Sequence, residues 1–474
     1  MASLRIAAGG EREGLDSMNG ITRRWRRATA PTVQDIVESG LCMGCGLCQG
    51  VAGEDRLVVE WDARGAYRPR VVAGLDARTE AAIRAVCPGL RMRLPAAISD
   101  AAAGANDLIF GHVQAMVEAH ATDPEVRFIG SSGGVLTALT IHLLESGRAK
   151  AVLNVAASPT HPARSISHIA RDREGALAAA GSRYGPAAPL QRLHELLDAG
   201  EPFAVIGKPC DIAAVRNLSR RDARVGRLVV GLLTVMCGGQ AEMPWFWNFL
   251  EKQGVTEDEV TSLRCRGKGC PGPTAFETKD GRRFQFTYDE AWGNSVHNWG
   301  LPFRCKICWD SHGEQADLMA FDSVAPEHIE GETEGFNSVI VRTARGAGLL
   351  REAEVCGAVV VTREVVFDAL YEWQPHMVRR RKAAMARVTG LALRNGIVPR
   401  VSGYRLLQAS RVDGLRGFVR NAIGSWRRAG RARETMADAG AAPPATLRWS
   451  GRLGSSAASD AARCLPTPLK HAKE

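Results

Sequence analysis

Apolar and polar positions along the middle of the chain switch repeatedly between a period of two and a period near 3.6. VRFIG (Val126–Gly130) reads as a short strand, and VLTALTIHLLESG (Val135–Gly147) carries apolar residues at helical spacing until Gly147 stops it. AVLNVAA (Ala151–Ala157) reads as the next strand and Leu190–Leu197 as a helix, and FAVIG (Phe203–Gly207) and LVVGLLTVM (Leu228–Met236) read as buried strands. This alternation predicts an α/β layer between Asp107 and Val230. From Cys237 to about Phe367, short strands such as VIVRT (Val339–Thr343) are set among Gly- and Pro-rich loops. Beyond Arg379 a basic helical segment leads into an Ala/Gly/Arg/Pro-rich tail. The first 30 residues are rich in Gly and Arg without an apolar period, the composition of a disordered lead-in.

The chain has 474 residues, enough for two or three domains with sizeable cores. Its formal net charge of +10 is unevenly placed. From Arg379 to Glu474 there are 20 basic and 5 acidic residues, which leaves 41 basic and 46 acidic before them. The body is therefore mildly acidic and only the tail is basic, which argues against a nucleic-acid binder. No apolar run approaches the roughly 18 residues of a membrane span. The opening MASLRIAAGGEREG has no secretory h-region, so the expectation is a cytoplasmic protein.

Twelve cysteines change the picture, because clustered thiols in a reducing compartment point to metal or catalysis rather than disulfides. LCMGCGLCQG sets Cys42, Cys45 and Cys48 at C-x-x-C-x-x-C spacing, and Cys87 follows with Pro88 directly after it. Two-residue gaps bring successive sulfurs to one side of a tight loop, and a remote Cys-Pro supplies the fourth corner of an iron–sulfur cube in bacterial ferredoxins. The alternative is a structural zinc site, which usually pairs two C-x-x-C knuckles instead. RCKICWD gives a further knuckle, Cys305 and Cys308, which needs two more ligands. The candidates are Cys210, Cys237, and the pair Cys265 and Cys270. Cys210 and Cys237 each sit just past a predicted buried strand, at the sheet edge where open α/β folds place their sites. Cys356 and Cys464 are isolated and read as incidental.

Six motifs occur in order: GSSGGVLTAL (Gly130–Leu139), AGSRYGPAAPL (Ala180–Leu190), AVIGKPCDIAAVR (Ala204–Arg216), RGKGCPGP (Arg266–Pro273), RCKICWD followed by EQADLMAFD (Glu314–Asp322), and GFNSVIVRT (Gly335–Thr343). Together they resemble the beta-subunit family of coenzyme F-420 (deazaflavin) hydrogenases and dehydrogenases. That family includes 7-hydroxymethyl chlorophyll a reductase and a ferredoxin-dependent divinyl-chlorophyllide reductase. The resemblance covers about Asp107 to Phe367 and implies FAD with one or two 4Fe-4S clusters, the flavin-proximal one held by Cys210, Cys237, Cys305 and Cys308; with the N-terminal cysteine run the expectation is two. The resulting expectation is an α/β (α+β) protein in five parts. Residues 1–30 form the lead-in, 31–100 a ferredoxin-like 4Fe-4S module, 105–230 an α/β flavin-binding domain, 231–378 an iron–sulfur/flavin domain, and 379–474 a basic, partly disordered extension.

The segment Ser131, Ser132, Gly133 and Gly134 opens a helix, where exposed amides and the helix dipole suit a phosphate, although a serine-capped helix start needs no ligand. With the resemblance, these residues together with Ser182, Arg183, Tyr184, Lys208 and Lys268 form the expected flavin site. His297, Asp289 and Glu290 are candidate proton donors to the flavin, and an unpaired histidine is more often structural, so none carries a role. The expected function is electron passage between ferredoxin-type clusters and FAD, to a deazaflavin or another conjugated small-molecule substrate. Two alternatives are a tetrapyrrole reductase and an electron-transfer subunit feeding a partner enzyme. Ferredoxin or another redox protein is the expected partner, and a homo-oligomer is left open. The basic helix His376–Arg394 has Met377, Met385, Val388 and Leu391 or Leu393 at near-helical spacing. The expectation is that this stripe is buried while the charges meet that acidic partner or an anionic membrane surface, the alternative being a solvated helix closing over the body.

Overall fold

The structure is a computed structural model that describes residues 30–99, 104–293, 300–325, 334–395 and 397–437. The expected roles of the lead-in, of His297, of Cys464 and of the tail beyond residue 437 fall outside those residues. A mixed eight-stranded sheet organises the body. Its strands in chain order are β1 (Ala115–Ala121), β2 (Ala151–Ala157), β3 (Ser165–Ala170), β4 (Phe203–Gly207), β5 (Val229–Val235), β6 (Leu318–Asp322), β7 (Asn337–Val341) and β8 (Val359–Glu364). Across the sheet they run β8-β1-β7-β6-β5-β4-β2-β3. The four central strands β6, β5, β4 and β2 are parallel, and the flanking pairings are antiparallel. The expectation of an α/β architecture is met. Central parallel strands are covered on both faces, which is why FAVIG and the LVVGLLTVM stretch are continuous apolar runs rather than alternating ones.

One face of the sheet is packed by helix α3 (Val135–Glu145), where Val135, Leu139 and Leu143 meet Val152, Leu233 and Val339. On the other face Leu153, Val205 and Leu232 pack against Ile212 and Val215 of helix α4 (Pro209–Leu218). Leu47 and Val86 join this second core, so helices α1 (Leu47–Ala52) and α2 (Ala77–Val86) of the cysteine-bearing N-terminal segment are built onto the sheet. The same segment carries an antiparallel hairpin, Leu57–Trp61 with Tyr67–Val71.

Three expectations are corrected. Val126–Gly130 lies in a helix, Pro124–Ile129, not in a strand; the strand of that unit is β1, a little earlier. Asp123 caps the helix, its side chain accepting from the amides of Glu125 (2.8 Å) and Val126 (3.3 Å), and Pro124 fixes the first turn. Capping outweighs the strand preference of the few apolar residues that follow. The second correction concerns Pro375–Asn395, here α5. It is helical and buries its apolar stripe as expected, Met377, Val388 and Leu391 being buried, but several of its charges turn inward with it. Arg381 is fully buried, with its guanidinium 2.6 Å from Glu314 and donating to the carbonyls of Trp309 (2.7 Å) and Tyr404 (2.6 Å). Arg380 and Arg387 donate to the carbonyls of Gly238 and Lys306. Arg380, Arg381 and Arg387 are thus used inside the molecule, while Arg379, Leu393 and Arg394 stay exposed. Third, the basic segment does not end there: α6 (Gly414–Ala437) lies alongside α5, with the Ser425 hydroxyl donating to the Arg387 carbonyl at 2.6 Å. No helix among the described residues is long and apolar enough to cross a membrane.

Candidate functional site: two cysteine sets and a cavity

Cys42 and Cys45 project from the loop that runs into α1, Cys48 lies in its first turn, and Cys87 caps the C-terminus of α2. The four thiols surround a common space walled by Val33, Ile36, Leu47, Ile83 and Val86. Glycine is required inside the loop: a Cβ on Gly44, whose φ is +67°, would stand 2.3 Å from the Tyr67 carbonyl oxygen. The Gly44 amide points to the Cys42 sulfur at 3.4 Å. Burial pushes the Cys87 thiol up to about 11, and the neighbouring Cys42 adds to it. Cys45 is raised further by burial, then by Asp211 and Cys87, and Cys48 by burial and the other three cysteines. Cys45, Cys48 and Cys87, all raised and crowded together, can ionise at once only around a positively charged centre.

The second set is assembled from separate elements. Cys210 sits in the first turn of α4 after β4 ends, and Cys237 follows β5. Cys305 lies in the short helix Phe303–Lys306, with Cys308 just beyond it. Cys237 is pushed up to about 12 by burial and then by Cys305 and Cys308, so those three thiols face one another. Cys210 is raised by burial and Asp211, with Cys237 also beside it. By contrast, Cys265 is buried beside the Arg183 guanidinium, and Cys270 lies against Gly335. Among the described residues no group of three or more His, Cys, Asp or Glu side chains is arranged to hold a single metal ion.

Two side chains tie the sets together. The Asp211 carboxylate is fully buried and faces both Cys45 and Cys210. It accepts the Lys208 amide at 2.9 Å and holds the Lys208 ammonium at 2.8 Å. Burial works against that cation, but Asp211 and the nearby Cys210 outweigh it and keep Lys208 protonated. Arg304 is 2% exposed, stacks 3.9 Å over the Trp309 ring, and directs Nη2 at the Pro88 carbonyl (3.4 Å) and the Met92 sulfur (3.2 Å). Its charge reaches Cys87 of one set and Cys210 and Cys305 of the other.

A cavity of about 520 Å³ opens beside the second set, and Lys208, Asp211 and Cys237 form part of its wall. Ser131, Ser132, Gly134, Ser182, Arg183 and Tyr184 line another part. Gly134 begins α3 at φ +74°, and any Cβ there would meet the Val126 carbonyl oxygen at 2.8 Å. The loops are stitched by Ser131 Oγ to Ser182 Oγ at 2.7 Å and by the Ser132 hydroxyl donating to the Phe336 carbonyl at 2.6 Å. Not every expected residue arrives. Gly133 packs instead against the sheet, where a Cβ would meet the Asn337 amide at 2.7 Å, and Lys268 is exposed in its loop, outside the wall. Arg183 reaches the wall, but it donates to Ser165 Oγ (2.8 Å) and to the carbonyls of Pro162 (2.7 Å), Arg164 (3.1 Å) and Leu263 (3.3 Å), so it braces loops.

Sequence reasoning missed Arg266, Asp322, Gln374 and His376, all of which line the cavity. Arg266 is buried, pairs with Asp322 at 2.7 Å, and donates to the Ser131 carbonyl at 2.6 Å. Both lay within quoted motifs, RGKGCPGP and EQADLMAFD, and the missing signal was their pairing across 56 residues. Gln374 and His376 precede or begin α5, which had been assigned to the surface.

A donor set of crowded, largely half-buried thiols, an amide aimed at sulfur and apolar walls fits iron–sulfur centres. A roomy cavity with a helix start at one part of its wall and a lysine beside thiols at another fits a flavin nucleotide. Comparison with known proteins bears on the same segments. The model for the coenzyme F420 hydrogenase/dehydrogenase beta subunit N-terminal region matches residues 116–194, and that for the C terminus matches residues 200–365. The chain is 22% identical over 341 residues to the coenzyme F420-dependent sulfite reductase of Methanocaldococcus jannaschii, an alignment covering 68% of this chain and 47% of that protein. It is thus matched to about half the length of that relative. It is 24% identical over 261 residues to the coenzyme F420 hydrogenase subunit beta of Methanococcus voltae, covering 52% of this chain and 84% of that subunit. Among solved structures, a chain of the F420-reducing [NiFe] hydrogenase complex from Methanosarcina barkeri superposes with a TM-score of 0.48 at 20% identity, over 60% of this chain and 95% of that one.

Proposed function

Since the chain belongs to the coenzyme F420 hydrogenase/dehydrogenase beta-subunit family, we propose that it is an oxidoreductase holding FAD and two 4Fe-4S centres, which exchanges electrons with a deazaflavin or another conjugated organic molecule. The observation that carries this reading is the continuity of the site: the first cysteine set adjoins the second through Asp211 and Arg304, and the second opens onto the cavity. When bound, iron–sulfur centres supply single electrons and a flavin pairs them. Cys42, Cys45, Cys48 and Cys87 are the proposed ligands of one centre, and Cys210, Cys237, Cys305 and Cys308 those of the other.

The remaining residues bind, orient and shield. The Ser131–Ser182 hydroxyl pair and the α3 N-terminus at Gly134 face an anionic group, while Ser132 holds the loop through the Phe336 carbonyl. The Arg266–Asp322 pair fixes the Ser131 carbonyl and so the shape of that loop. Lys208, kept cationic by Asp211, favours an electron-rich ring beside Cys237. Relatives whose names describe them as beta subunits support a redox protein as partner. Anaerobic purification followed by a visible spectrum and iron, sulfide and flavin analysis tests the reading. We expect roughly eight irons and one flavin per chain, from two cubes and one cavity. Colourless protein with stoichiometric zinc would overturn it.

A further inference from the structure

A hydride moved to or from a conjugated acceptor must be matched by a proton, and the wall of the cavity limits which side chain can carry it. Most of its titratable groups are already engaged. Lys208 and Asp211 hold each other at 2.8 Å, and Arg266 and Asp322 at 2.7 Å. The Tyr184 hydroxyl accepts from Arg266 at 3.3 Å and shares a hydrogen bond with Tyr288, and burial raises both phenols. Arg183 donates to loop carbonyls, and Cys237 belongs to the second thiol set. His376 is left. It lines the cavity, is exposed, and among the described residues its ring makes no hydrogen bond or ion pair.

Helix α5 sets its position. Arg380 lies one turn after His376 on the same face of the helix, and donates to the carbonyls of Cys237 (3.3 Å) and Gly238. Those bonds pin the start of α5 at the end of the cavity where Cys237 and Lys208 are neighbours. Two residues before His376, Gln374 is 7% exposed and lines the same wall, and among the described residues its side-chain amide has no partner. A buried amide of this kind calls for a polar ligand. The groups facing His376 are Arg379 and Arg380 of its own helix and His312, which is fully buried and kept neutral by that burial. Burial and the two arginines hold His376 below the usual imidazole value, so its ring gives up a proton readily. Residue 376 lies past residue 365, where the matched family region ends, so this wall is contributed by the chain's own extension.

We propose that His376 exchanges a proton with a deazaflavin that meets the flavin at this end of the cavity. The proposal rests on the flavin reading above. In the reducing direction a hydride leaves the reduced flavin, which is thereby oxidised by two electrons, and forms a C–H bond on the deazaflavin. The His376 imidazolium gives its proton to the ring nitrogen at the other end of the conjugated system, forming an N–H bond. The neutral imidazole then recovers a proton from solvent. In the oxidising direction the neutral imidazole takes the N–H proton as the hydride departs.

The test uses the full chain prepared anaerobically and pre-reduced, with deazariboflavin as the acceptor in single-turnover mixing. The wild-type rate should fall as pH rises through the histidine range, near and below ~6.5, because the imidazolium is lost. The reverse reaction, with dihydrodeazariboflavin and oxidised protein, should speed up over the same range. His376→Gln should flatten both profiles and slow both reactions roughly a hundredfold, with iron and flavin content as in the wild type. Added imidazole should restore part of the rate to His376→Ala, which a merely structural role would not allow. Without any turnover, bound deazariboflavin should slow the carbethoxylation of His376 by diethylpyrocarbonate, read by peptide mass spectrometry. A flavin-loaded His376→Gln protein with the wild-type rate and pH profile overturns the proposal. So does a His376 that deazariboflavin leaves unprotected, or flavin-loaded wild-type protein that leaves deazariboflavin unreduced. Wild-type protein without flavin defeats the underlying reading itself, an outcome separate from any difference among flavin-loaded variants.

Discussion

Three thiols of the first cysteine set come from seven consecutive residues, Cys42 to Cys48, and the fourth from the end of the neighbouring helix α2. The second set draws on the start of α4, the end of β5 and the Phe303–Lys306 helix, spread over nearly a hundred residues. Three thiols of the first set belong to one loop, whose glycines and two-residue gaps aim the sulfurs. The second exists only once the sheet has formed and α5 has closed over it, with Arg380 donating to the carbonyls of Cys237 (3.3 Å) and Cys305 (3.1 Å). Local sites tolerate distant change, and assembled sites inherit the stability of everything that assembles them.

The sharpest way to break this comparison is to remove one thiol from each set. Cys45→Ser should abolish about four irons per chain, as expected of a cube ligand, and leave bound flavin near the wild-type level. Cys305→Ser should abolish as many and also weaken flavin retention, because its set borders the cavity. Equal flavin loss in the two variants, read from the visible spectrum, would remove the distinction.

A smaller effect follows from the dependence of the second set on α5. Arg381→Met leaves the Glu314 carboxylate buried without its partner, and should cost about 3–5 kcal/mol in chemical denaturation. Burial already raises the Glu314 pKa above 4.5, and Arg381 opposes that rise. A raised carboxyl binds more protons folded than unfolded, so its contribution to stability falls as pH climbs above about 4.5. The variant should show a steeper fall than the wild type, measured as the denaturation midpoint between pH 4.5 and 7.

Arg304 sharpens the comparison by coupling the two sets. Its buried cation favours added electrons on either side, so Arg304→Met should lower the reduction equilibrium of each centre about tenfold, or 59 mV for one electron. A redox titration followed by paramagnetic resonance that finds only one centre shifted would confine Arg304 to that set. The smallest change is Ser182→Ala, which removes the 2.7 Å bond to Ser131 and should weaken flavin binding by about 1 kcal/mol, with iron unchanged in both sets.

Much of this was legible before any coordinate. The strands Ala151–Ala157, Phe203–Gly207 and Val229–Val235 announced themselves as apolar runs between turn residues, because strands buried on both faces have no polar side to alternate. The first cysteine set was legible for the same reason it is robust: spacing and function lie in one loop. The Pro124–Ile129 helix was misread because six residues carry too little periodicity to reveal a helix, and the informative residue was the cap at Asp123. Of the expected cavity residues, Ser131, Ser132, Gly134, Ser182, Arg183, Tyr184 and Lys208 reach the wall, while Gly133 and Lys268 do not. A motif names the segment that approaches a site, but the backbone path decides which side chains turn inward.

What the sequence determined by itself was the inventory: a mixed α/β body, thiols in number and spacing for buried metal chemistry, and an excess of cations at the C-terminal end. Tertiary structure alone decided how these parts combine. The basic helix α5 became core because burying Met377, Val388 and Leu391 required its arginines to find partners inside, and the carbonyls of Trp309, Tyr404 and Gly238 and the Glu314 carboxylate were there to receive them. Arg416, Arg420 and Arg427 of α6 stay exposed instead. Charge and hydrophobicity are written residue by residue, but whether a cation meets a buried carbonyl or the solvent depends on elements far apart in the chain, and only packing brings those together.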